Sequence, residues 1–324
     1  KDFEKQRNIF STVKTTIFFN KIFNPNNYLK TKNLIRSSAF FTLLLLTINI
    51  SLSQTLTLYV IPSQFDRNWD SPRNLLFSTI LNWYAPHKMK KHAIGHVVIE
   101  LSRGEDLILT GSVLAKDSSF RQIAKQGYGF GVLFAFVGGR VEETEDLMAE
   151  LGPRFESGKI AFMRYQISDD TYDRLHDYFE EYKARGYDKS YNGYNDPRSG
   201  NGAGCSKFGI SFLEVAGIMD ENYEKNWAAD VPVPLKLIGG PITGNKVGIF
   251  KILMANRWAH KDELYIETKF YDPNLMYHWI HDEWNKEKIA QAGSIKLLNK
   301  NNALGLEFDL RNNACPTDVV FNYD

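Results

Sequence analysis

Two residues of this chain have the type and setting of a nucleophile and its base. Cys205 follows Gly202-Ala203-Gly204 and opens a run to Gly217 that is apolar almost all round, the pattern of a buried helix. A thiol at a helix N-terminus sits beside unpaired N–H groups and the positive end of the dipole, which lowers its pKa. The same N–H groups can receive the oxyanion of a tetrahedral intermediate. Small residues before the thiol let a substrate backbone approach closely. A small apolar residue packed under the helix is the alternative for this segment. His96 lies early in the apolar run Gly95-His96-Val97-Val98-Ile99-Glu100-Leu101, a strand pattern. An imidazole held on a strand is a rigid base, and Cys–His pairing yields thiolate and imidazolium near neutral pH. A satisfied core histidine is the alternative there.

The elements that must position these residues read as a mixture of strands and helices. Residues 55–62 form an opening strand and 74–84 a short helix. Residues 93–101 and 107–114 form a hairpin about Ser102-Arg103-Gly104-Glu105, and 128–137 and 159–167 are further strands. Ser168 caps a helix with Asp169 and Asp170 in its first turn and Tyr172, Leu175, Phe179 and Tyr182 along one face, ending at Gly186. A polar stretch from Tyr191 to Gly204 leads to the Cys205 helix. Beyond Gly217, residues 231–241 read as a Pro-rich connection, 247–254 and 264–270 as strands, and 277–290 as a helix.

The order of these features carries more than either residue alone. A Gly-His strand, its hairpin partner, a helix, a polar Tyr/Asn/Gly stretch, and Gly-Ala-Gly-Cys before a buried helix resemble the circularly permuted NlpC-like branch of the papain-like cysteine enzymes. That branch includes the lecithin retinol acyltransferase relatives. The resemblance covers about residues 90–217 and carries over Cys205 as nucleophile and His96 as base. It implies an α+β fold in which an antiparallel sheet packs on the helix that starts at the nucleophile. It also implies a thiol hydrolase or acyltransferase acting on amides or esters, with peptide, peptidoglycan-like or lipid substrates. No cofactor is expected. A catalytically inactive binding module of the same fold and a structural envelope protein are the alternatives.

The third, orienting residue is open. Glu100 shares the His96 face, but four residues along a strand span roughly 13 Å. If the turn centres near Arg103–Gly104, the residue opposite His96 is Thr110, Gly111 or Ser112, and the hydroxyls of Thr110 and Ser112 are the candidates. Tyr191, Tyr194 and Arg198, on the loop before the nucleophile, are candidate substrate contacts; the Arg198 fork suits a carboxylate. His92 follows Lys90-Lys91 and reads as solvated. His278 and His281 lack a third ligand at motif spacing, so no metal site is expected.

Composition bounds the rest. The chain is 43% hydrophobic with net charge +1, a globular profile with no bulk field toward nucleic acid or an anionic membrane, which leaves only local patches open. Residues 29–53 combine a basic stretch (Lys30, Lys32, Arg36), an apolar run over 39–52 and small residues, the pattern of a secretory signal peptide. That run is shorter than the roughly 20 residues a spanning helix needs. The expected product is therefore secreted or periplasmic, with no stable membrane span after cleavage. No Met precedes Met89, so residues 1–28 read as untranslated or disordered, with translation starting at Leu29. The expected division is then 54–217 as catalytic core and 218–324 as an elaboration of the same domain. Only Cys205 and Cys315 are available for a disulfide, and their pairing would abolish the thiolate chemistry.

Overall fold

The computed structural model describes residues 54–85, 92–116 and 125–322. The signal-peptide and start-site expectations lie outside the described residues. Residues 52–324 form one compact unit. In chain order its helices are α1 (Pro72–Tyr84), α2 (Thr144–Ser157), α3 (Asp169–Ala184), α4 (Cys205–Val215), α5 (Glu221–Trp227), α6 (Ile249–Leu253) and α7 (Pro273–Ala290). Its strands are β1 (Gln54–Ile61), β2 (His96–Arg103), β3 (Asp106–Thr110), β4 (Ser112–Leu114), β5 (Val137–Val141), β6 (Ala161–Ile167), β7 (Ser190–Tyr191), β8 (Ala228–Pro234), β9 (Tyr265–Tyr271), β10 (Lys296–Lys300) and β11 (Ala303–Asp309).

The fold is mixed α+β. Its main sheet runs β10-β11-β6-β1-β2-β3. β1 alternates Leu56, Leu58 and Val60 on one face with Tyr59 and Ile61 on the other, and both sets are buried. Helices therefore cover both faces. Side chains of α3, α4, α5 and α7 pack against the Leu56 face, and Leu147, Leu151 and Phe155 of α2 against the Tyr59 face. The expectation of a purely antiparallel sheet is corrected at one pair, because β11 runs parallel to β6. The chain can do this because α7 carries it back across the sheet before β10 and β11 turn as a hairpin at the edge.

Three local expectations are also corrected. Residues 128–137 are not a strand: Phe130–Leu133 form a 3₁₀ turn and the strand is β5. The glycines there admit a neighbouring backbone rather than extend a ladder, since a Cβ on Gly131 would lie 2.2 Å from the Gly239 carbonyl oxygen. Residues 249–253 of the expected strand over 247–254 are the short helix α6. The Pro-rich connection begins as β8, an edge strand paired with β9, where Pro232 and Pro234 have no ladder N–H to supply. The Ser168 cap does form, accepting from the Thr171 N–H, and Tyr172, Leu175, Phe179 and Tyr182 are buried on α3.

Candidate active site

Cys205 is the first residue of α4, after the extended Gly204. Glycine fixes how closely that helix meets the sheet. A Cβ on Gly209, one turn after Cys205, would lie 2.4 Å from Val97 Cγ1 of β2. The contact brings the start of α4 to the start of β2, where His96 lies. Gly95 precedes His96 with φ of +83°, and a Cβ there would also press on Pro273 at 2.9 Å. Both positions require glycine for space, and Gly95 requires it for conformation as well.

The imidazole of His96 is buried, and its Nε2 lies 2.6 Å from Glu142 Oε2. The same imidazole hydrogen-bonds the Cys205 thiol. Burial alone would depress the His96 pKa. The Cys205 charge and hydrogen bond, then those of Glu142, outweigh it and raise the value to about 9. Burial likewise opposes ionisation of Cys205. The His96 charge and hydrogen bond, followed by hydrogen bonds from Val97 and Ser206, reverse that and lower its pKa. Both shifts favour the same state, a thiolate beside an imidazolium.

Glu142 is the orienter that sequence inspection missed. It follows β5, its N–H donates to the Gly111 carbonyl at 2.8 Å, and its carboxylate is buried. Gly111 leaves the room, because a Cβ there would lie 2.9 Å from His96 Nε2 and 3.0 Å from Glu142 Oε2. Thr110 and Ser112 are corrected as ring partners. The Thr110 hydroxyl donates to the Glu142 carbonyl at 3.4 Å, and the Ser112 hydroxyl to the Ala203 carbonyl at 2.6 Å. The hairpin pairs Ile99 with Thr110, so its turn centres later than expected and β3 ends before reaching the level of His96. These two hydroxyls fasten the segments that carry Glu142 and Cys205.

His92 is corrected too. It is not solvated: its side chain is 8% exposed, and its ring stacks on that of His96 with centroids 3.7 Å apart and planes parallel. Its Nε2 lies 3.3 Å from Glu150 Oε2, and Glu150 also binds Arg154. Burial, together with the nearby His96 charge, pushes its pKa down to about 4 despite Glu150 and Glu142. His92 is therefore a neutral plate against a charged ring.

His92, His96 and Glu142 place ligand atoms within 4.8 Å of one another, and they are the one such group among the described residues. The ring geometry does not suit a shared ion. Metal-binding nitrogens point their lone pairs at an ion about 2.1 Å away in the ring plane, and two parallel rings 3.7 Å apart cannot share such a point. His278 instead meets Asp66 at 2.9 Å, and the His281 ring lies against Tyr277.

Of the three loop candidates, only Tyr191 reaches the thiol. Its phenol hydrogen-bonds the Cys205 backbone and side chain, and burial with the Cys205 charge pushes its pKa far up, so it stays protonated. Tyr194 is elsewhere: its hydroxyl donates to the Glu267 carbonyl at 3.2 Å and its ring packs on Phe134 and Phe270. Arg198 is committed to the C-terminal segment. Its guanidinium donates to the Val320 and Val319 carbonyls and to Asp318, which corrects its assignment to a substrate carboxylate. Cys205 and Cys315 are both free thiols, so no disulfide occupies Cys205.

No helix among the described residues is long and apolar enough to cross a membrane. Comparison with protein-family models, with curated proteins and with solved structures finds no match for this chain.

Proposed function

We propose that the protein is a thiol hydrolase or acyltransferase of the permuted papain-like kind, working through Cys205, His96 and Glu142. The observation that carries this is the line from a half-buried thiol to a buried imidazole and carboxylate at the N-terminus of α4, with both pKa shifts favouring the ion pair. Cys205 Sγ attacks an amide or ester carbonyl carbon. On substrate binding the Cys205 N–H and the Tyr191 hydroxyl exchange their mutual bond for the oxyanion, and the His96 imidazolium donates its proton to the leaving nitrogen or oxygen. The neutral imidazole then takes a proton from water or an acceptor alcohol, which attacks the thioester and releases the acid or the transferred acyl product. Glu142 holds the ring and stabilises its charge.

The basic and apolar pattern of residues 29–53 supports export. Wall-type peptides and lipid esters are the substrate classes to test, on the analogy with the permuted branch. The test is intact-mass analysis of wild type and Cys205→Ala incubated with panels of peptide amides and acyl esters. The expected result is a thioester adduct or turnover that requires Cys205. Binding of panel members with neither adduct nor turnover would make the protein an inactive binding module.

A further inference from the structure

α1 buries polar side chains beside Leu75 and leaves an apolar stripe outside. Its inward face carries Ser78 and Asn82, both buried. Ser78 donates to the Asn74 and Leu75 carbonyls and accepts from the Asn68 N–H. Asn82 donates to the Phe65 carbonyl and accepts from the Phe65 N–H, both at 2.9 Å. These bonds fix the rotation of the helix about its axis. The apolar stripe is thereby held outward: Phe77, Leu81 and Tyr84 fall at i, i+4 and i+7, and all three are exposed.

The neighbouring element repeats the pattern. α6 meets α1 through buried Leu75 and Ile252, and the Arg73 N–H donates to the Ala255 carbonyl just beyond α6. Ile249, Phe250 and Met254 face outward, with Phe250 79% and Met254 83% exposed. Among the described residues, aliphatic and aromatic side chains from two adjoining elements thus stand exposed without a cover, which marks an interaction surface.

Charge selects the occupant. Residues 71–85 hold Arg73, and residues 240–256 hold Lys246 and Lys251; neither stretch contains an Asp or Glu. Arg73, Lys246 and Lys251 are exposed and form no salt bridge among the described residues. Two copies of this face meeting about a two-fold axis would set like charges together. Exposed aromatics flanked by cations match a bilayer surface, where rings enter the headgroup region and Lys and Arg meet anionic lipid.

We infer that the α1–α6 face seats the protein on the surface of an anionic bilayer. This docking is independent of the proposed chemistry at Cys205. The test is carbene footprinting of the full chain with phosphatidylcholine vesicles that contain or lack phosphatidylglycerol. The expected result is several-fold lower labelling of Phe77, Leu81, Phe250 and Met254 on the anionic vesicles, weakening as salt rises. The variant Phe77→Ser/Leu81→Ser/Phe250→Ser, folded by circular dichroism, is expected to partition onto those vesicles roughly tenfold less. Unchanged labelling of these residues on vesicle-bound protein would overturn the inference, because another segment would then carry the attachment. Labelling that falls with protein concentration in the absence of vesicles would overturn it in favour of a second copy.

Discussion

At Cys205 two large effects oppose one another, and the charge of His96 decides between them. Burial disfavours the thiolate, but the adjacent imidazolium outweighs it. Glu142→Gln keeps a group of the same shape beside Nε2 while removing the charge that helps hold His96 protonated. The expected outcome is a loss of roughly 10²-fold in turnover with the fold intact, read from kcat and near-ultraviolet circular dichroism. His92 gives a prediction of a different kind. Its folded pKa of about 4 lies below the ordinary 6.5, so the unfolded chain binds the extra proton between those values. Stability from this residue is therefore present above pH 6.5 and lost as pH falls toward 4, by on the order of 3 kcal/mol. Replacing it with a ring that cannot titrate, His92→Phe, is expected to flatten that part of the profile. Denaturant titrations of both proteins across this window check it, and parallel slopes would contradict the neutral, buried state of His92.

At the scale of elements, glycines set the distances between Cys205, His96 and Glu142 that the proposed chemistry needs. Gly111 lies just beyond β3, where any Cβ would intrude on the His96–Glu142 bond. Gly111→Ala is expected to lower activity by roughly 10²-fold and to destabilise the fold by about 1–3 kcal/mol through overpacking. Kinetics and chemical denaturation measure both, and an unimpaired variant would show that this bond is not needed. The elements also explain what could be read from the chain beforehand. Cys205 and His96 were legible because their signals are local: glycine before cysteine at an apolar helix, and glycine before histidine in an apolar strand. Glu142 was not. It lies 46 positions from His96, after a strand containing Gly138 and Gly139, and the pairing is set by long-range contacts such as the Gly111–Glu142 backbone bond and the β4–β5 ladder. Glu142 sits in an acidic stretch, Glu142-Glu143-Thr144-Glu145, where a single buried carboxylate has no distinguishing mark. Lys90 and Lys91 likewise disguised His92, whose partners come from α2.

For the molecule as a whole, the segment after residue 217 completes the core. β10 and β11 extend the main sheet, α7 crosses it, and Arg198 clamps the last described residues to the loop before Cys205. The helix of α7 was visible from its pattern, whereas the parallel docking of β11 on β6 joins segments about 140 positions apart and has no local signal. Arg198→Ala removes the guanidinium donors to the Val319 and Val320 carbonyls; the Asp318 contact adds less because that carboxylate is 56% exposed. The expected cost is about 1–3 kcal/mol, seen as a lowered thermal midpoint. Substrate KM is expected to stay unchanged, because the guanidinium faces the tail. A large KM effect without loss of stability would return Arg198 to substrate binding.

The most direct test of the Cys–His pair is the pH dependence of Cys205 alkylation by iodoacetamide in wild type and His96→Ala, with Cys315→Ser as background in both. The expected result is rapid alkylation persisting well below the free-thiol pKa of about 8.5, and its loss in His96→Ala. Slow alkylation that rises only near that pKa, unchanged by the histidine substitution, would contradict the ion pair and with it the proposed chemistry.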